Sequence, residues 1–172
     1  PSGADVVVLA GDIAPLRGRG VWHVNDQKKW INKKFREWTQ SYPDVQFVVT
    51  PGNHDFFPIA HILFKDQGID WSFDFSENVH FLSDRGVEIN GVKFYGTPWV
   101  PIISYSWAFE GEHDTLKRWF SKIPSDVDVL ITHSPPRIPG SDVDRSIQTN
   151  SEHFGSGELT QAIIDKRPRF VF

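Results

Sequence analysis

Asp12, Asn53, His54, Asp55 and His133 are the residues of this chain best suited to chemistry. Asp12 follows Gly11, the triplet Asn53-His54-Asp55 follows Gly52, and His133 follows Leu130-Ile131-Thr132. A carboxylate, an amide oxygen and an imidazole are all competent ligands for a divalent transition metal. The two oxygens of Asp12 can bridge a pair of ions. Gly11 and Gly52 let the backbone turn tightly and come close to an ion. Taken singly, each has a plainer reading. Gly-Asp is a common turn dipeptide, Asn-His-Asp suits an Asx-type turn, and a lone histidine before Pro135-Pro136 is ordinary loop chemistry. Their placement in the chain decides against that.

Each cluster ends an apolar run of strand length. Asp5–Ala10 and Val45–Val49 have no polar alternation, so both read as strands buried on two faces, and Val127–Thr132 reads the same way. A helix is expected over Gln27–Gln40, capped by Asp26, with Trp30, Ile31, Phe35 and Trp38 on one face. Further on, Phe57–Lys65 suits a short helix and Val79–Leu82 a strand. Asn90-Gly91 between Gly86–Ile89 and Val92–Tyr95 marks a hairpin. Glu112–Ile123 suits a helix, Ser156 a cap for one running through Ile164, and Arg169–Phe172 a strand beginning. Strands alternating with helices indicate an α/β layer with parallel strands. In such sheets ligands gather outside the carboxyl ends of the strands, where all three clusters fall.

The 172 residues are 39% hydrophobic and 23% charged, which suits one globular domain rather than a disordered chain. Fourteen Phe and 7 Trp can fill wide packed layers or line a pocket. The formal net charge of -4, without a Lys/Arg block, argues against standing nucleic-acid binding. The absence of cysteine excludes disulfides, thiolate zinc sites and a cysteine nucleophile. No apolar run approaches the ~20 residues of a membrane span, and no secretory leader is visible, so a cytoplasmic location without a membrane partner is expected.

Gly11-Asp12, Gly52-Asn53-His54-Asp55 and the strand-end His133, in that order, resemble the motifs of calcineurin-like metallophosphoesterases. Gly96-Thr97-Pro98-Trp99 and Trp107-Ala108-Phe109 look like the small phosphodiesterase branch of that family. The resemblance implies a fold of two packed mixed β-sheets flanked by helices. It also implies two divalent metal ions, Mn, Fe or Zn. By it Asp12 bridges the metals, while Asn53 and His133 bind the second. His54 sits beside the substrate phosphate, and Asp55 orients the His54 imidazole. The implied reaction is hydrolysis of a small phosphate ester, a diester before a monoester, with a nucleotide compatible. A phosphomonoesterase or protein phosphatase on the same site and a non-catalytic binding protein on the same fold are the alternatives.

Two motifs of the family pattern, an upstream Asp-x-His and a downstream Gly-His-x-His, do not occur in the chain. They belong before Pro1 and after Phe172. The 172 residues are therefore expected to be one domain cut at both ends, and weakly active by themselves. His23, His61, His80, His113 and His153 lack metal-site spacing and read as structural or surface residues. Arg137 and Arg145 read as solvated loop charges, and Trp99 and Trp107 as packing residues that can also wall a pocket.

Overall fold

A computed structural model of the chain describes residues 3–64, 73–138, 148–149, 152–153 and 155–172. Strand β1 (Val6–Ala10) leads to a 3-10 turn (Val21–His23) and a long helix. That helix consists of α1 (Val24–Trp30), a π-helical segment (Ile31–Phe35) and α2 (Arg36–Gln40). Then come β2 (Gln46–Thr50), α3 (Phe57–Phe64), β3 (Val79–Phe81), β4 (Arg85–Ile89), β5 (Val92–Thr97) and the short β6 (Val100–Pro101) and β7 (Glu110–Gly111). The chain continues through α4 (His113–Phe120), β8 (Val129–Thr132), β9 (Gln148–Thr149), β10 (Glu152–His153), α5 (Gly157–Lys166) and β11 (Phe170–Val171).

The first sheet runs β1-β2-β3 and is parallel throughout. The second runs β11-β8-β5-β4, antiparallel only at the β4–β5 hairpin. The expected mixed character therefore belongs to the second sheet. The continuous apolar runs resolve into a two-residue alternation, because both faces of each sheet are covered. Val6, Val8 and Val48 join Phe94, Val129 and Ile131 in a cluster between the sheets. Val7, Leu9, Phe47 and Val49 point the other way, onto Val24, Ile31, Phe35, Phe57 and Ala60. On the far side, Tyr95 and Leu130 pack on Leu116 and Phe120 of α4 and on Leu159 and Ala162 of α5. The result is helix, sheet, sheet, helix.

β2 and β8 are buried as expected, but β1 is only half-buried, since among the described residues β2 is its one strand partner. Asp26 lies within the first turn of α1 and does not cap it. The helix starts earlier, because Val24 is buried and draws that turn into the core. Trp38 lies at the rim of its apolar face, 37% exposed. Ser156 does cap α5, its hydroxyl accepting the Leu159 N–H at 3.1 Å. Asn90 and Gly91 take φ of 52° and 78°, the paired positive values of a tight hairpin turn. Lys65, expected at the end of the third helix, lies outside the described residues.

Candidate active site

β1, β2 and β8 bring Asp12, Asn53, His54 and His133 together at one end of the sheets. Gly11 (φ 95°) and Asp12 (φ 52°) both take the left-handed region, which swings the chain off β1 as soon as its last ladder bond is made, Gly11 N–H to the Thr50 carbonyl at 2.9 Å. Aspartate tolerates that region better than most residues, though at some cost. The turn aims the Asp12 carboxylate at the residues after β2. Its Oδ1 accepts the His54 backbone N–H at 3.0 Å, and its Oδ2 lies 3.2 Å from His54 Nδ1. His133 Nε2 lies 2.8 Å from Asn53 Oδ1 and 3.4 Å from Asp12 Oδ1. The other ring nitrogen, Nδ1, lies 3.3 Å from the Ala10 carbonyl, a link between β8 and the end of β1.

Gly11 and Gly52 are small for a reason beyond their turns. A Cβ at Gly11 would overlap the His133 ring, and one at Gly52 would overlap Asp12 and the same ring. Asp12, Asn53 and His133 thus converge in a cradle that two glycines keep open. Among the described residues no group of three or more His, Cys, Asp or Glu side chains is disposed to hold an ion, and here an amide oxygen completes the donor set. One carboxylate, one amide oxygen and one imidazole fit a divalent cation chemically.

Asp55 does a different job from the one the resemblance assigns it. Both its oxygens accept main-chain N–H groups: Oδ2 from Gly52 at 2.7 Å and Ile13 at 3.1 Å, Oδ1 from Ala14 at 2.8 Å. The carboxylate is fully buried and fastens the turn after β1 to the turn after β2. The His54 ring is engaged by Asp12 instead. Burial pushes the Asp55 carboxyl up to about 7, while the three amide donors and the nearby Asp12 charge pull in opposite directions.

The model for the calcineurin-like phosphoesterase family matches residues 1–172. The chain belongs to that family. It is 34% identical over 100 residues to the UPF0046 protein T07D4.2 of Caenorhabditis elegans, covering 56% of this chain and 24% of the relative. It is 32% identical over 123 residues to metallophosphoesterase domain-containing protein 1 of Homo sapiens, covering 60% of this chain and 37% of the relative. Over 170 residues it is 28% identical to a probable rhamnogalacturonate lyase C of Emericella nidulans, covering 96% of this chain and 14% of the relative. The chain spans well under half the length of each of these relatives. Among the described residues no helix is long and apolar enough to cross a membrane.

Around the core of this calcineurin-like site stand residues that the sequence reading passed over. Gln27 of α1 is buried; its Nε2 donates to the His54 carbonyl at 2.7 Å, and its Oε1 accepts the N–H groups of Phe56 and Phe57 at 2.9 and 3.2 Å. The signal for it was present: a polar residue one turn from Trp30 and Ile31 on the apolar face. The two tryptophans part company. Trp99 is structural, donating Nε1 to Asp84 at 2.8 Å and stacking on Trp119 at 4.8 Å. Burial pushes the Asp84 carboxyl up against the pull of its bonds from Trp99 and Thr97. Trp107 lies against the His54 ring, with centroids 4.7 Å apart. His80 bonds Gln46 and His113 bonds Glu158, both away from the site. Arg137 is exposed, and Arg145 lies outside the described residues.

Proposed function

We propose that this chain carries the core of a metal-dependent phosphoesterase site, hydrolysing phosphate esters and preferring diesters. The meeting of Asp12, Asn53, His54 and His133 in a glycine-lined cradle supports it most. The diester preference rests on the likeness of Gly96–Trp99 and Trp107–Phe109 to the small phosphodiesterase branch. Asp12, Asn53 and His133 would hold one divalent cation, with Asp12 shared by a second. Such a pair, when bound, supplies positive charge for the phosphate oxygens and a water acidic enough to ionise near neutral pH.

This chain's own contribution is placement and proton handling. Asp12 accepts from His54 Nδ1–H, which leaves Nε2 as the nitrogen turned over to substrate. In its protonated form that nitrogen donates to the departing ester oxygen, so the leaving group departs as an alcohol. Gln27 grips the His54 carbonyl and Asp55 ties the two turns, so the ring and Asp12 keep their relation.

The test loads the protein with Mn²⁺, Fe²⁺ or Zn²⁺, measures metal content, and compares bis(4-nitrophenyl) phosphate with 4-nitrophenyl phosphate. Asp12, Asn53 and His133 predict about one ion for these 172 residues and weak turnover, faster on the diester and lost in Asp12→Ala and His54→Ala; a protein that carries both metal sites should take up ~2 ions per chain. Faster monoester turnover points to a phosphomonoesterase instead. Neither metal uptake nor hydrolysis of either ester leaves a binding protein on the same fold.

A further inference from the structure

The segment Ile103–Glu110 is folded around a single carboxylate. Glu110 Oε1 accepts the N–H groups of Ile103 and Ser104 at 2.7 and 2.8 Å, and Oε2 accepts that of Trp107 at 3.0 Å. Tyr105 and Phe109 take the left-handed region at φ 55° and 57°, which non-glycine residues adopt only when their surroundings demand it. Ala108 N–H then donates to the Asn53 carbonyl at 3.0 Å, so the loop is fastened to the backbone of a candidate metal ligand. What it presents is Trp107, against His54 and near Phe56, whose ring centroid is 6.4 Å away.

Arg19 reaches this loop from the turn after β1. Its guanidinium carbon lies 4.3 Å from the centre of the Trp107 ring, and Nη1 donates to Ser106 Oγ at 3.3 Å. Among the described residues no acidic side chain forms an ion pair with Arg19. An exposed arginine is usually a flexible solvated charge. This one is held on an indole beside the catalytic histidine, and most of its N–H donors are uncommitted to those two contacts. Pre-ordering of that kind removes part of the entropy cost of binding an anion, and a guanidinium matches the oxygens of phosphate or carboxylate. Arginine–aromatic pairs are also common surface decoration. The loop built around Glu110, its bond to Asn53 and its contact with His54 favour a role in recognition.

We propose that Arg19, positioned by Trp107, is a specificity-determining residue that takes an anionic oxygen of the substrate beside His54. The proposal rests on the phosphoesterase reading and deepens it. The anionic oxygen belongs either to the phosphate being cleaved or to a second phosphate on the esterified group. Two diesters separate these sources: thymidine 5′-(4-nitrophenyl phosphate) and the same compound with an added 3′-phosphate, followed by chromatography with metal-loaded wild-type, Arg19→Gln, Arg19→Lys and Trp107→Leu proteins.

Arg19→Gln should lower kcat/KM roughly tenfold, the loss of one charge-assisted hydrogen bond. A loss confined to the 3′-phosphorylated diester and carried by KM assigns the second phosphate. An equal loss on both assigns the phosphate being cleaved. Arg19→Lys should recover part of the loss, and Trp107→Leu combined with Arg19→Gln should be no worse than the stronger single variant, because they disable one unit. Arg19→Gln within twofold of wild type on both diesters overturns the proposal. If the wild-type protein cleaves neither diester, the phosphoesterase reading fails separately. Calorimetric binding of thymidine 3′,5′-bisphosphate then decides: about tenfold weaker binding by Arg19→Gln upholds the proposal, and equal affinity overturns it.

Discussion

Removing the Asp55 carboxylate should loosen the fold and the site together. In Asp55→Ala the buried N–H groups of Ala14 and Gly52 and the part-buried one of Ile13 lose their shared acceptor. A buried donor left unsatisfied costs roughly 1–3 kcal/mol, and water admitted to the vacated space recovers part of that. The expected loss is therefore about 3–5 kcal/mol, a large share of the 5–15 kcal/mol typical of a domain. At an m value of ~2 kcal/mol per molar, the urea midpoint falls by roughly 2 M. Unfolding can be followed by tryptophan fluorescence, since the chain holds 7 Trp. Asp55→Asn keeps one acceptor oxygen and should cost less. The pH dependence has a definite sign. A carboxyl raised from 3.8 to about 7 in the folded state keeps a proton that the unfolded chain has released. Its contribution is complete below 3.8 and is lost as pH rises through about 7. Wild-type stability should carry a falling component over that window, and Asp55→Asn should lack it. An Asp55→Ala midpoint within 0.3 M of wild type, on the order of the error in such fits, refutes the argument that this carboxylate fastens the two turns.

Gln27→Leu should cost about 2–4 kcal/mol by thermal or urea unfolding, because three hydrogen bonds to residues 54, 56 and 57 vanish from a buried position, and should also slow turnover by displacing His54. Gly52→Ala should retain far-ultraviolet circular dichroism while weakening metal uptake at least tenfold by calorimetry, since its Cβ overlaps Asp12 and His133. Asn78→Ala should destabilise by about 1–3 kcal/mol with metal uptake unchanged, since its amide joins the carbonyls of Thr39, Tyr42 and Val45 away from the site.

Much of the candidate site was legible because strand ends announce themselves. An apolar run that stops at Gly-Asp or Gly-Asn-His-Asp states both where the strand ends and which side chains leave it. The hairpin at Asn90-Gly91 and the Ser156 cap were legible for a similar reason: each depends on the conformational preference of one or two residues. Sequence did not reveal the partner of each polar atom. The family resemblance implied that Asp55 serves the His54 imidazole. The fold instead turns it inward to amides about forty residues away, one buried and one part-buried, whose N–H groups need an acceptor there. Asp26 looked like a helix cap for a local reason, and the burial of Val24 moved the helix start past it.

Residue order and apolar spacing by themselves determined the α/β alternation and singled out Asp12, Asn53 and His133 as candidate ligands, while the ordered motifs carried the resemblance to the family. Those are properties of short segments, governed by hydrophobic periodicity and turn chemistry. Only the tertiary structure decided that Asp12 holds His54, that Gln27 and Asp55 brace the two turns, and that Arg19 rests on Trp107 beside the site. Such pairings join residues tens of positions apart, and they exist because two sheets close face to face and every buried polar group needs a partner. No local pattern records them.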